Sequence, residues 1–594
     1  LLILTTHHYS TAAQEHDEFS FEELSKLSLE ELLKINVTTA SIVPLSIEES
    51  PGVVRVFTKD DISRGGFETL ADLMRQVPGV QLVDSGRGTQ TAWIRGIQDE
   101  ENSRVMLFID GIKIRSYHDG ALPIGAFINL NSVERVEMLN GPGSVLYGSG
   151  SFSAIVNIIT SSTGTGFKIK SKQHTSYKNG DTTNGYAGHT ATVVASNEHW
   201  HFYAQDYHED AFRTELTQRG LINDGDPATS NQALLLKYQH NHFAFTTSYS
   251  NYHYSAPYFV LYNEVKNVDY IADGITPFNR VNKYDYKMAN IGFDYNFKEI
   301  QLSLYMVRNQ FNNDVDAHTD LNGNITQTIE RRRPSIYYSL AANYPFTWQV
   351  HHQVVVGFEY FVDKSDGQGR FDKSNYTDGV ISSEELNVRY RESVTREDTG
   401  IFIQDIYRIN EHFSATAGLR QSFLSDFDNQ LSYRLGLNAV FSQYYGKLLL
   451  GTAYRTPDYD DYITQKTYKN DYDASDDEGN YPTVTSFVGG EPLPLAAYPS
   501  LEAEELITLE LQIGRWFGDH SQVDITFYNN HYTNYTSGTK VEANNGYYAD
   551  DREFGVNYDT RDIRGAELYW RSLLYNKLRI SVSYSHIFSA TEGL

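Results

Sequence analysis

The chain has 594 residues, with 44 tyrosines, 31 phenylalanines, no cysteine and a formal net charge of −27. That length exceeds what one ordinary hydrophobic core accommodates, so two units of unequal size are expected. The acidity excludes nucleic acid, whose phosphates it would repel, and fits an extracellular or envelope setting. Without cysteine there is no disulfide framework to explain. No run of about 18 apolar residues exists, which excludes a transmembrane helix. A transmembrane β-strand stays open, because it needs only about 10 residues alternating apolar and polar.

In chain order, Leu1–Leu4 followed by Thr11-Ala12-Ala13 reads as the remnant of a secretory signal over 1–13, cleaved before Gln14. A ragged terminus without meaning is the alternative. Residues 14–35 form an N-terminal amphipathic segment. Phe21, Leu24, Leu27, Leu29, Leu32 and Leu33 recur at helical spacing, with Ser28 as N-cap and Glu31 completing a capping box. Asn36–Ser41 is β-branched, and Pro44 follows it. Such an extended strand can be added to a partner's exposed sheet edge, where backbone hydrogen bonds supply the affinity; a plain first strand is the alternative.

From Val53 the pattern gives strand, short helix, strand. Thr69 caps a helix through Leu70, Leu73 and Met74, and Pro78-Gly79 ends it. Val105–Ile109 and Val133–Leu139 are strands bounded by Asp-Gly, Asn-Gly and Gly-Pro turns. This stretch is a compact α+β unit with glycine-rich loops.

From about Gly166 hairpin follows hairpin. Ile291, Phe293, Tyr295 and Phe297 alternate with polar residues, and Leu302, Leu304 and Met306 return after a turn at Lys298-Glu299. Leu431, Tyr433, Leu435 and Leu437 oppose Ser432, Arg434, Gly436 and Asn438. Ile507, Leu509, Leu511 and Ile513 oppose Thr508, Glu510, Gln512 and Gly514. A strongly polar second face fits a water-containing barrel better than a two-sheet sandwich, although both alternate. Long loops are expected near 207–232, 255–286, 311–333, 362–396, 456–500 and 529–560.

Residues 36–160 carry, in order, Pro78-Gly79-Val80, Ile94-Arg95-Gly96, Ile109-Asp110-Gly111, Val133-Glu134-Arg135-Val136-Glu137, Gly141-Pro142, Leu146-Tyr147-Gly148 and Asn157-Ile158-Ile159-Thr160. The ordered set resembles the plug domain of TonB-dependent outer-membrane receptors. Tyr454-Arg455-Thr456-Pro457 and Pro499-Ser500-Leu501 with Glu504 and Glu510 resemble two barrel boxes of the same family, the second lacking its Asn and second Pro. The resemblance implies a mainly β fold: an antiparallel transmembrane β-barrel of roughly 22 strands filled by an N-terminal α+β plug. The plug would span 36–164, with a TonB-box-like strand near 36–41, and the barrel 165–594. The chain ends without the terminal aromatic strand of such barrels, so further strands are expected beyond it; a missing strand would leave an open edge in lipid.

The resemblance also implies roles. Val37, Thr38, Thr39 and Ala40 would meet TonB. Arg95, Glu504 and Glu510 would dock plug on barrel, with Arg95–Glu510 the pair singled out. The family carries Arg before Gly-Pro where this chain has Asn140, which loosens docking unless Arg135 substitutes. Ligand contacts would come from the plug's apical loops: Arg87, Thr89, Gln90, Arg115, Tyr117, His118 and Asp119, a mix suited to an anionic chelate.

No nucleophile–base constellation, zinc motif or phosphate loop is present, so no enzyme is expected, and Gly141–Gly150 reads as turn chemistry. Clustered carboxylates at Asp458, Asp460, Asp461 and Asp473 suggest a loop calcium site against the plainer reading of a solvated acidic loop; no cofactor is otherwise required. Haem uptake is disfavoured because no His lies between Tyr454 and Leu501. The expected function is TonB-dependent import of a ferric siderophore or cobalamin-like chelate by a monomer in the outer membrane of a Gram-negative bacterium. Its partners would be TonB with its inner-membrane complex, the chelate, and outer-membrane lipid and lipopolysaccharide. A ligand-sensing receptor or adhesin without transport is the alternative from another class, and a secreted β-sandwich or propeller acting on glycans a third.

Overall fold

The computed structural model describes residues 36–84, 90–99, 102–116, 120, 124–125, 127–128, 130–161, 166–175, 187–210, 228–258, 280–319, 325–365, 369–374, 387–390, 393–459, 461–462, 483–485, 493–494, 500–517, 521–542, 552–574 and 578–593. The expected signal remnant and amphipathic helix lie outside these residues.

The first unit is the α+β plug. Its strands are β1 (Val53–Thr58), β2 (Val80–Asp84), β3 (Gln90–Ile94), β4 (Val105–Ile109), β5 (Ile112–Ile114), β6 (Val133–Asn140) and β7 (Ala154–Thr160). They form a five-stranded sheet in the order β1-β6-β7-β4-β5 and a separate β2-β3 hairpin. The two-residue turn between β4 and β5 works because Asp110 and Gly111 both take positive φ, 50° and 80°, as an Asp-Gly hairpin turn requires. Helix α1 (Lys59–Gly65) starts at a Thr58–Asp61 capping box, and α2 (Leu70–Met74) at a Thr69–Asp72 box. A four-residue α3 (Ser144–Tyr147) follows the Gly-Pro turn.

Residues 36–41, expected as an extended strand, form a turn instead. Val37 bridges Leu45, the Ser41 and Ile42 N–H groups both donate to the Thr38 carbonyl, and Ile42 adopts φ 66°. Short-range backbone bonding before Pro44 outcompetes the β preference of Val37-Thr38-Thr39.

The second unit is a sheet that closes into a barrel, its strands running from Gly166–Thr175 to Leu578–Gly593. Burial runs opposite to that of a water-soluble sandwich. Leu431 and Ile513 are 57% and 50% exposed on the outside, whereas Glu510 and Thr508 on the inner face are each 2% exposed. An apolar exterior around a polar, plug-filled interior is the arrangement a lipid solvent selects. No helix among the described residues is long and apolar enough to cross a membrane.

Two expected loops are largely strand. Ile300–Thr319 and Ile325–Trp348 pair through most of 311–333, and Ser521–Glu542 and Arg552–Leu574 pair through much of 529–560. Their distal ends lose the apolar–polar alternation, because a ladder projecting past the apolar band has no lipid on its outer side. Periodicity alone therefore cannot find them.

Candidate functional site

The plug meets the wall through buried ion pairs, and Arg95 is the most heavily used. It sits just past β3 with φ 53°, ahead of Gly96 at φ 82°. A left-handed non-glycine residue costs on the order of 1–2 kcal/mol; here it turns the side chain out of the hairpin towards the barrel. Arg95 Nη1 donates to Glu510 at 2.6 Å, and its Nε and Nη2 donate to Glu567 at 2.8 and 3.2 Å. The guanidinium also lies 4.5 Å from the centre of the Tyr528 ring. Burial works against the charge, but Glu510 and Glu567 outweigh it and hold the Arg95 pKa well above the ordinary value. Arg95, Glu510 and Glu567 are each no more than 3% exposed at their side chains.

This joint gives the Pro-Gly and Gly-Pro motifs a physical reason. A β-carbon on Gly79 would come within 2.2 Å of Glu567 Oε1, and one on Gly141 within 2.8 Å of Glu510 Oε1. Both glycines also have positive φ, 80° and 122°. Each barrel carboxylate thus rests on bare plug backbone. Gly79→Ala is expected to cost about 1–2 kcal/mol in backbone strain alone, with more added as Glu567 is displaced. Calorimetric unfolding in detergent should show the plug transition at lower temperature, and an unchanged transition would refute this role.

Asn140 does not reach the wall. Its side-chain NH2 donates to the Pro78 carbonyl at 3.0 Å, while its Oδ1 is buried without a partner. Arg135 does not substitute for a docking arginine: it pairs with Glu137 of its own strand at 2.9 Å. A one-strand separation of two residues puts both side chains on the same face, so the local carboxylate takes it.

Glu504 docks the plug, but through other partners than Arg95. Arg104, one residue before β4, donates to it from Nη2 at 2.5 Å and Nε at 3.1 Å. Arg455 of the Tyr-Arg-Thr-Pro box approaches its other side at 3.1 Å. Arg455 also pairs with Asp458, whose second oxygen accepts from Arg115 Nη2 at 2.8 Å. Arg104, Glu504, Arg455, Asp458 and Arg115 therefore form one chain of alternating charge that leaves the plug before β4, crosses the wall and returns to the plug after β5.

That chain revises two expectations. Asp458 spends both carboxylate oxygens on guanidinium groups rather than presenting them to calcium, and Arg115 is already neutralised. Among the described residues no group of three His, Asp or Glu side chains could hold a metal ion. Asp461 lies in a short helical turn after Asp458; Asp460 and Asp473 are outside the described residues. Gln90 opens β3, its carbonyl accepting from Asn102. Arg87, Thr89, Tyr117, His118 and Asp119 are outside the described residues.

Further docking pairs were not singled out from sequence. Arg55 binds Asp524 through two bonds of 2.7 and 2.6 Å, and Lys113 meets Glu359 at 2.6 Å. Asp61 pairs with Arg571 and Arg579. Burial pushes the Asp61 carboxyl up, yet those two arginines bring it below the ordinary value overall. Inward alternation could have nominated Asp524, Glu567 and Arg571; only the fold says which plug residue each meets.

Comparison with known proteins agrees with this geometry. The family model described as TonB-dependent Receptor Plug Domain matches residues 46–155, and that described as TonB dependent receptor-like, beta-barrel matches residues 218–593. The vitamin B12 transporter BtuB of Vibrio vulnificus is 32% identical over 132 residues, 21% of this chain and 20% of the relative. BtuB of Photobacterium profundum is 31% identical over 127 residues, with the same shares. The matched part thus spans about a fifth of those relatives. Among solved structures, the siderophore receptor PirA from Acinetobacter baumannii superposes with a TM-score of 0.64 at 16% identity, covering 95% of this chain and 82% of that one. A mutant of the ferric enterobactin receptor PfeA from Pseudomonas aeruginosa gives 0.65 at 16%, covering 93% and 82%. At such identities these likenesses concern the fold, whereas the barrel match alone covers more than half of the sequence. The chain belongs to the TonB-dependent receptor family.

Proposed function

We propose that this receptor actively imports a scarce anionic chelate, of the ferric siderophore or cobalamin type, across the outer membrane of a Gram-negative bacterium. The observation that carries the reading is a lumen filled by a plug whose sheets join no barrel strand and which meets the wall through side-chain ion pairs and apolar packing. A solute can pass only when that plug moves, and moving it against several buried ion pairs requires work. TonB and its inner-membrane complex are the source of that work, engaging the chain near Val37, Thr38, Thr39 and Ala40. Two curated relatives matched over about a fifth of the chain are vitamin B12 transporters, and solved structures of similar fold include siderophore receptors.

The ligand binds above the plug, at Arg115, Gln90 and the loops bearing Arg87, Thr89, Tyr117, His118 and Asp119. An anionic group competes there with Asp458 for Arg115. The protein performs no covalent chemistry in this reading and acts as a monomer in lipid and lipopolysaccharide.

The test is accumulation of radiolabelled ferric siderophores and cobalamin by cells that express the full chain and lack other receptors. Saturable uptake of one chelate, abolished by a protonophore, is expected. Surface binding that persists without any energy-dependent accumulation would replace import with sensing or adhesion.

A further inference from the structure

We propose that Glu137 and Arg434 form a latch that holds residues 38–40 closed and ties them to the Gly141-Pro142 turn of the Arg95 joint. Only the final step, engagement by TonB, rests on the function proposed above.

Most of the segment's backbone hydrogen-bonding groups are already engaged. Val37 exchanges bonds with Leu45 at 2.7 and 3.1 Å. The Thr38 and Thr39 N–H groups both donate to Glu137 Oε2, at 3.1 and 3.2 Å, and the Thr39 hydroxyl adds a third at 2.6 Å. The Ala40 carbonyl accepts from Arg434 Nη1 at 2.8 Å. A partner strand recognises free N–H and C=O groups along an edge, and the Thr38 and Thr39 N–H groups and the Ala40 carbonyl stay occupied until Glu137 and Arg434 let go.

Arg434 lies on the inner face of the strand Gln430–Val440 and is 4% exposed. Its bonds go to two plug carbonyls: Nη1 to Ala40 and Nη2 to Pro142, also at 2.8 Å. A guanidinium buried on carbonyls is expensive compared with one buried on a carboxylate. What this placement achieves is connection. Pro142 follows Gly141, on whose backbone Glu510 rests, and Glu510 holds Arg95. Withdrawing Ala40 leaves Arg434 half satisfied and loosens its hold on that turn. Displacement of residues 38–40 is thereby passed to the principal docking pair through one side chain. Arg434 is a positioning residue in this scheme, and Glu137 is the catch.

The absence of cysteine makes Ser41→Cys a single reporter, since Ser41 is fully buried. Maleimide labelling would be followed in outer-membrane vesicles of the full chain. Glu137→Gln or Arg434→Met should speed it about tenfold or more, the change in open population expected when a charged hydrogen bond to a buried group is lost. Arg434→Lys should restore slow labelling in part. Ser50→Cys, equally buried but outside the segment, should not change, and heat-modifiable migration should show an intact barrel throughout. Unaltered labelling at position 41 in both variants, or equal acceleration at position 50, would overturn the latch. A second arm measures capture of the purified periplasmic domain of TonB by the same vesicles without chelate. Faster labelling together with greater capture supports both readings. Faster labelling without greater capture leaves the latch standing and overturns residues 37–40 as the TonB segment.

Discussion

Arg95→Ala is expected to destabilise plug seating by about 3–5 kcal/mol, the cost of breaking a buried ion pair from one side. The size follows from what remains. Glu510 and Glu567, both within 3.2 Å of the guanidinium, would be left together in a buried site. Two uncompensated carboxylates in such a place repel one another and lack solvation. The plug should then unfold as a separate, earlier calorimetric transition, and cells carrying the variant should admit a bulky antibiotic normally excluded by the outer membrane. An unchanged plug transition would mean that the seating comes from apolar packing, and Arg95 would lose its central role.

The second large effect is expected at Glu504. It is fully buried between Arg104 and Arg455 and also accepts the Thr536 N–H at 2.6 Å. Glu504→Ala strands two guanidinium groups, so its cost should again be about 3–5 kcal/mol. It should also reach farther. Arg455 would be left with Asp458 alone, which shifts the balance by which Asp458 holds Arg115. If Arg115 contacts the chelate, Glu504→Ala should change chelate affinity as well as stability, whereas Gly79→Ala should change stability alone. Isothermal titration of the two variants separates these outcomes, and equal affinity in both would break the proposed link from wall to ligand face.

Much of the fold was legible because a membrane inverts the usual rule of burial. Leu435, Leu437, Leu509 and Leu511 face outward as their alternation requires, and Arg434, Glu510 and Gln512 face inward. The plug was legible through turn chemistry, since Asp110-Gly111 and Gly141-Pro142 need backbone that few residues supply. Partner identity was not legible. Arg104 and Glu504 are 400 residues apart, and alternation says that a carboxylate points inward without saying what it meets. Arg95–Glu510 could be named from family resemblance, but Glu567, Asp524 and the Arg455–Asp458–Arg115 run could not. Helix α1 was missed although Thr58 and Asp61 carry its capping box, because a seven-residue helix shows too few turns for a period to register. The turn at 36–41 escaped because short-range bonds to the Thr38 carbonyl, and bonds to Glu137 from far along the chain, override the β preference of the side chains.

The central claim is that a buried ion-pair joint at Arg95 seats the plug in the barrel. It is tested most directly by comparing Arg95→Met with the triple variant Arg95→Met, Glu510→Gln, Glu567→Gln. Removing every charge from a buried cluster can be nearly neutral, whereas removing one partner is not. The account predicts that the plug transition, lost or lowered in the single variant, returns in the triple variant to within about 1 kcal/mol of the parent. A triple variant less stable than the single one, with the three effects simply adding, would contradict it.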